Sequence, residues 1–228
     1  MYAVQLRTLP EALTGSRSWR YPVRQLIPPG YPGLSTTRGQ TSSEQNLDGT
    51  TTEYFEVEPS EATLLAILRG LFEKNWRELI FGPCIQGAVF EARFVTPPRL
   101  TTLDGYVTVS AAGDGPWHFH LCIGPHRGTR NRPTPRELAA WRRCARAAFF
   151  RDRDRNGRQS VWGFRMWNGR GEQMITVFFP NPWLDPVRMR PVRAPEWSRL
   201  DLWMRMRRRW AGVAPEPPPL PAMPPRLH

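Results

Sequence analysis

The sequence predicts an α+β domain, an antiparallel sheet of about five strands with two main helices packed on one face, in the order α-β-β-β-α-β-β. Three observations predict it. Residues 61–79, EATLLAILRGLFEKNWREL, carry Leu64, Leu65, Leu68, Leu71, Phe72 and Trp76 at helical spacing. Several later segments are rich in β-branched and aromatic residues with partial apolar alternation, as half-buried strands require. Two of those segments are joined by Asn168-Gly169-Arg170-Gly171, a strong hairpin signal.

Taken in order, Ser60 caps the first helix, which is expected to end near Ile80, before Gly82-Pro83. Residues 88–95, AVFEARFV, read as a strand broken by Pro97-Pro98, and residues 103–110, LDGYVTVS, as a second. A turn at Gly113-Asp114-Gly115-Pro116 leads to a third strand over 117–123. After a basic loop over 124–133, Thr134-Pro135 opens a second helix. Its expected apolar side carries Leu138, Trp141, Ala145, Ala148 and Phe149, and its basic side Arg142, Arg143, Arg146 and Arg153. Residues 160–167 and 174–179 supply the last two strands. Asp152-Arg153-Asp154-Arg155-Asn156-Gly157 opens like a calcium loop, but Gly163 stands where the bidentate Glu belongs, so it reads as a polar turn. Residues 196–210 read as a short basic helix docked on its own domain, with Trp197, Leu200, Trp203 and Met204 inward.

Residues 1–52 are rich in Pro, Gly, Ser and Thr and read as a flexible segment. Residues 53–210 form the expected domain, and residues 211–228 a disordered proline-rich tail. The formal net charge of +12 is uneven: +2 over residues 1–52, −4 over 53–124 and +14 over 125–228. A basic half attracts an anionic small ligand, an acidic protein partner or nucleic acid. A GC-rich genome would also produce this arginine bias. Cys84, Cys122 and Cys144 form no CxxC pair and leave an odd count, which suits a reducing setting, here a bacterial cytoplasm. No stretch is apolar enough to span a bilayer. Phosphate loops, GxGxxG and GxSxG are missing, so nothing points to ATP, nicotinamide or serine-hydrolase chemistry.

The chemistry-bearing run is HFHLCIGPH. On a strand, His118, His120 and Cys122 share one face, while Trp117, Phe119, Leu121 and Ile123 take the other. Gly124-Pro125 then turns His126 back toward them. Imidazole with thiolate suits Zn, Fe, Cu, Co or Ni, so the expectation is a transition-metal site on His118, His120, Cys122 and His126. Glu91, Asp104 and Cys84 are candidates for further ligands. Such a site would serve a metalloenzyme or a metal carrier or sensor. Acid–base work by the histidines without metal is a second reading, and a basic nucleic-acid-binding module is the alternative from another class. The His-x-His spacing resembles the first motif of the cupins. The motif's Glu is missing, however, and residues 127–228 hold no second-motif histidine apart from the terminal His228.

Overall fold

A computed structural model describes residues 39–85, 87–111, 117–186, 188, 190–214 and 216. The sheet begins ahead of the expected domain start. Strands β1 (Thr41–Gln45) and β2 (Thr51–Val57) form a hairpin whose Asn46 N–H donates to Thr50 O, with Gly49 at φ 82. Glycine suits that left-handed turn position. The earlier part of the expected flexible segment lies outside the described residues, as does most of the expected tail.

Helix α1 (Glu61–Arg69) starts as expected, with Ser60 Oγ accepting from the Thr63 N–H at 3.3 Å. It loosens into a π turn at Gly70–Lys74 and a 3-10 turn at Trp76–Glu78. The π turn falls at Gly70, where a Cβ would stand 3.3 Å from Met206 Cε of the C-terminal helix. Leu64, Ile67, Leu68, Leu71 and Phe72 are completely buried, and each contributes roughly 1.5–3 kcal/mol of apolar burial.

Short strands β3 (Ile80–Gly82), β4 (Cys84–Ile85) and β5 (Ala88–Val89) follow. The strand expected over 88–95 therefore shrinks to two residues. The strand expected over 103–110 is instead a hairpin of β6 (Arg99–Leu103) and β7 (Tyr106–Ser110), turning at Asp104-Gly105 with φ 47 and 78. Positive φ at both positions is the signature of a two-residue I′ turn, and Asp-Gly is a preferred pair for it. Strand β8 (His118–Cys122) pairs with β7 and completes a three-stranded sheet, in agreement with the expected third strand. The glycine-rich turn expected over 113–116 lies outside the described residues. Strands β9 (Gly128–Thr129) and β10 (Arg132–Pro133) make a small ribbon inside the basic loop.

The largest departure concerns the second helix. Helix α2 spans only Arg136–Arg142, and Cys144–Arg153 is a ten-residue strand, β11. RAAFFRDR satisfies a helical stripe and a strand alternation equally, and periodicity cannot separate them. Pairing decides: β11 hydrogen-bonds to β2 on one side and to β12 (Gln159–Asn168) on the other. Strand β13 (Gln173–Phe178) follows the Asn168-Gly169-Arg170-Gly171 turn, as expected. The sheet order is β1-β2-β11-β12-β13-β3, six strands, all pairs antiparallel. The polar Asp154–Gly157 turn closes β11 onto β12 rather than ending a helix.

Helix α3 (Asp201–Ala211), preceded by a 3-10 turn at Trp197–Leu200, ends at Gly212 in the left-handed conformation. It docks as expected. Trp203 and Met206 are buried, and Trp203 Nε1 donates to Gly163 O at 3.1 Å. Helices α1 and α3 cover the sheet face that carries Phe55, Val57, Phe149, Phe164 and Val177. The class is therefore α+β as expected, but of the five expected strands only β12 and β13 belong to the main sheet, while the segments expected over 88–95, 103–110 and 117–123 fall in the small β4-β5 and β6-β7-β8 sheets. No helix among the described residues is long and apolar enough to cross a membrane.

Candidate functional site

The histidine row has the facing that strand alternation requires, but it does not converge. Across the β7–β8 ladder, His118 stands opposite Ser110, His120 opposite Thr108 and Cys122 opposite Tyr106. His118 and His120 are exposed, with ring centroids 4.8 Å apart, and His120 Nδ1 is 2.7 Å from Thr108 Oγ1. Cys122 is buried, and its thiol points back to Gly124 O at 3.6 Å. Burial pushes that thiol's pKa up, away from thiolate. His126 lies beyond Cys122, beside Tyr106 at the end of the sheet away from His118, where its Nδ1 meets Asp104 Oδ2 at 2.9 Å and Arg142 Nη1 approaches its Nε2 at 3.4 Å. Arginine only donates, so Nε2 accepts and Nδ1 carries the proton toward Asp104.

Among the described residues, no three His, Cys, Asp or Glu side chains gather to hold a metal ion. The metal-binding reading of His118, His120, Cys122 and His126 is overturned. The physical reason is that no third donor joins the His118–His120 pair among the described residues: the Cys122 thiol is buried and turned to Gly124 O, and His126 is already engaged by Asp104. The other candidate ligands do not complete a set: Asp104 serves a loop and Cys84 belongs to another sheet. Asp104 accepts the backbone N–H of Arg127 and of Gly128, both at 2.8 Å, which holds its carboxyl below the usual range. This cluster ties the basic loop to the β6–β7 turn.

A different group of polar side chains is concentrated on the main sheet, on the face away from α1 and α3. Alternation places Thr52, Tyr54 and Glu56 of β2 there, beside Arg146, Ala148, Phe150 and Asp152 of β11. Gly163, Arg165 and Trp167 of β12 and Thr176 of β13 continue the row. Arg146 is held on both sides: its guanidinium lies 4.6 Å from the Tyr54 ring and 4.3 Å from the Trp167 ring, and it pairs with buried Glu56 at 2.6 Å.

Arg165 is different. Its guanidinium stacks 4.4 Å over Phe150 and 6.0 Å from Trp167. Nε donates to Thr176 Oγ1 at 3.0 Å and Nη1 to the Tyr54 hydroxyl at 3.2 Å. Arg165 is half-buried, makes no ion pair among the described residues, and its Nη2 makes no hydrogen bond among them. Asp152 stands on the same face, but it accepts from Thr52 Oγ1 at 2.7 Å and burial pushes its pKa up. Cys84, whose thiol burial also raises, lies near Arg165, Thr176 and Gln173.

The segment from residue 41 to residue 212 matches a family described only as a family of unknown function, DUF7676. The chain belongs to DUF7676. The match takes in the whole six-stranded sheet, α1 and α3, so Arg165 and its neighbours lie within the DUF7676 segment. No curated protein and no solved structure matches the chain.

Sequence reasoning missed this face because it placed Arg146 on a helix. No local signal marked it, because RAAFFRDR fits a helical stripe and a strand alternation equally. The basic helical surface expected for nucleic acid is also interrupted, since Arg207 is buried within the domain while Arg208 and Arg209 are exposed.

Proposed function

We propose that this protein binds a small planar anion, an aromatic carboxylate, at Arg165 on the main-sheet face away from α1 and α3. One observation carries the reading: a half-buried guanidinium with no carboxylate at ion-pair distance among the described residues, stacked on Phe150 and bordered by Trp167 and the Tyr54 hydroxyl, while Asp152, the acid that feels its charge, is bonded to Thr52. A guanidinium presents its donors in a planar fork that matches a carboxylate, and aromatic walls suit a flat ligand. Away from bulk water that attraction is screened less. The uneven charge of the chain, positive over residues 125–228, favours the approach of an anion. The proposal extends to a reducing, cytoplasmic setting, supported by three cysteines that form no disulfide.

Titration with benzoate, followed by tryptophan fluorescence and calorimetry, tests the reading. Wild-type protein is expected to bind saturably. Arg165→Gln should weaken binding by about ten- to a hundredfold, the value of a charge-assisted hydrogen bond, and Arg165→Lys should restore it only in part. Equal binding by Arg165→Gln, or no saturable binding by wild type, overturns it.

A further inference from the structure

We infer that a second site, on the opposite face of the sheet from Arg165 and independent of it, binds small dicarboxylates, and that Glu216 occupies it as an internal stand-in. A cavity of about 370 Å³ opens beside edge strand β1, lined by Thr41, Ser43, Glu53, Phe55, Arg151 and Glu216 among others. That volume lies at the lower end of the range for small-molecule sites. Its floor is unusual for a surface hollow. Arg151 is 8% exposed and Arg207, behind it, 2%. Both guanidiniums lie over the Phe55 ring, at 5.4 and 4.6 Å, and Arg207 also lies 4.6 Å from Trp203.

Two buried guanidiniums side by side need an anion. Glu53 answers part of the demand, pairing with Arg151 and, at 2.8 Å, with Arg153. The rest comes from Glu216, whose Oε2 meets Arg151 Nη1 at 2.5 Å and whose Oε1 meets Arg207 Nη1 at 3.3 Å. This carboxylate belongs to the segment after α3 and its side chain is 42% exposed, so it can leave without unpacking the core. The pair is also incompletely satisfied: Arg207 Nε is buried and has no hydrogen-bond partner among the described residues. Without Glu216, three guanidiniums face Glu53 alone, an excess of two positive charges. A dicarboxylate meets that charge, one carboxylate taking the place of Glu216. The hydroxyls of Thr41 and Ser43 and the Phe55 ring offer contacts for its body. The DUF7676 match ends at residue 212, so the cations lie within the family segment and the resident carboxylate lies beyond it.

A tethered carboxylate competes at an effective concentration of order millimolar. Removing its charge must therefore strengthen binding of a free one. Full-length protein is titrated with glutarate by calorimetry, with the Arg207 Nε–H followed by nitrogen-15 NMR. Glu216→Gln is expected to bind glutarate about tenfold more tightly than wild type, with the Arg207 Nε–H resonance moving as the site fills. Equal affinity in the two proteins, no binding to Glu216→Gln, or a static Arg207 signal overturns the proposal. Tighter binding of inorganic phosphate than of glutarate by Glu216→Gln overturns the dicarboxylate assignment.

Discussion

The ring of Phe150 lies across Gly163 on the neighbouring strand, so that a Cβ at position 163 would stand 2.1 Å from Phe150 Cε1 and 2.3 Å from its Cζ. Phe150 is completely buried there, on the same face as Arg165. The missing side chain on β12 makes room for the ring on which the Arg165 guanidinium rests. Gly163→Ala should therefore push the ring aside. Overpacking of this kind costs about 1–3 kcal/mol, to be measured as a fall in the urea midpoint at unchanged slope. Benzoate affinity should fall with it, because Arg165 loses its platform.

The two faces of β8 should respond very differently to substitution. His120 is exposed, and its Nδ1 is hydrogen-bonded to Thr108 on the adjacent strand. His120→Ala should shift stability by no more than about 0.5 kcal/mol, as at ordinary surface positions. On the inner side Phe119 of β8 packs on Phe72 of the π turn after α1, which is completely buried with the rings of Phe81, Phe94 and Phe119 at 5.1, 5.9 and 5.7 Å. Phe72→Ala should cost about 3–5 kcal/mol. Chemical denaturation of both variants checks the contrast.

The ion pairs around Arg151 set an acid limit to stability. For Glu53 and Glu216 partial burial raises the pKa. The hydrogen bonds and charges of Arg151 with Arg153, and of Arg151 with Arg207, outweigh it, and both carboxyls end below their ordinary value of 4.5. A depressed carboxyl contributes stability that is fully present above the unfolded value and is lost as pH falls through the folded value. Asp152 acts in the opposite sense, because burial raises it above 3.8 and deprotonation in the folded state carries a penalty. Glu216→Gln should accordingly flatten the loss of thermal stability below pH 4.5 and leave the profile above it parallel to wild type. A melting series across that range measures it.

Helix α1 with its Ser60 cap, strand β8, the β12–β13 hairpin and the inward side of α3 were legible in the sequence alone. Each is set by interactions a few residues apart: a cap three residues from its N–H, a helical stripe, a strand alternation, an Asn-Gly turn. The facing of His118, His120 and Cys122 was legible for the same reason. Whether those side chains could share an ion was not, because that depends on where the Cys122 thiol turns and on Asp104 already holding His126. Tertiary structure alone decided that Cys144–Arg153 is a strand. Its pattern suits helix and strand alike, and partners about ninety residues earlier, in β2, hydrogen-bond it into the sheet. That one decision places Arg146 and Phe150 on the face with Arg165, and Arg151 beneath Glu216. Both proposed sites thus depend on long-range pairing, which no local period encodes.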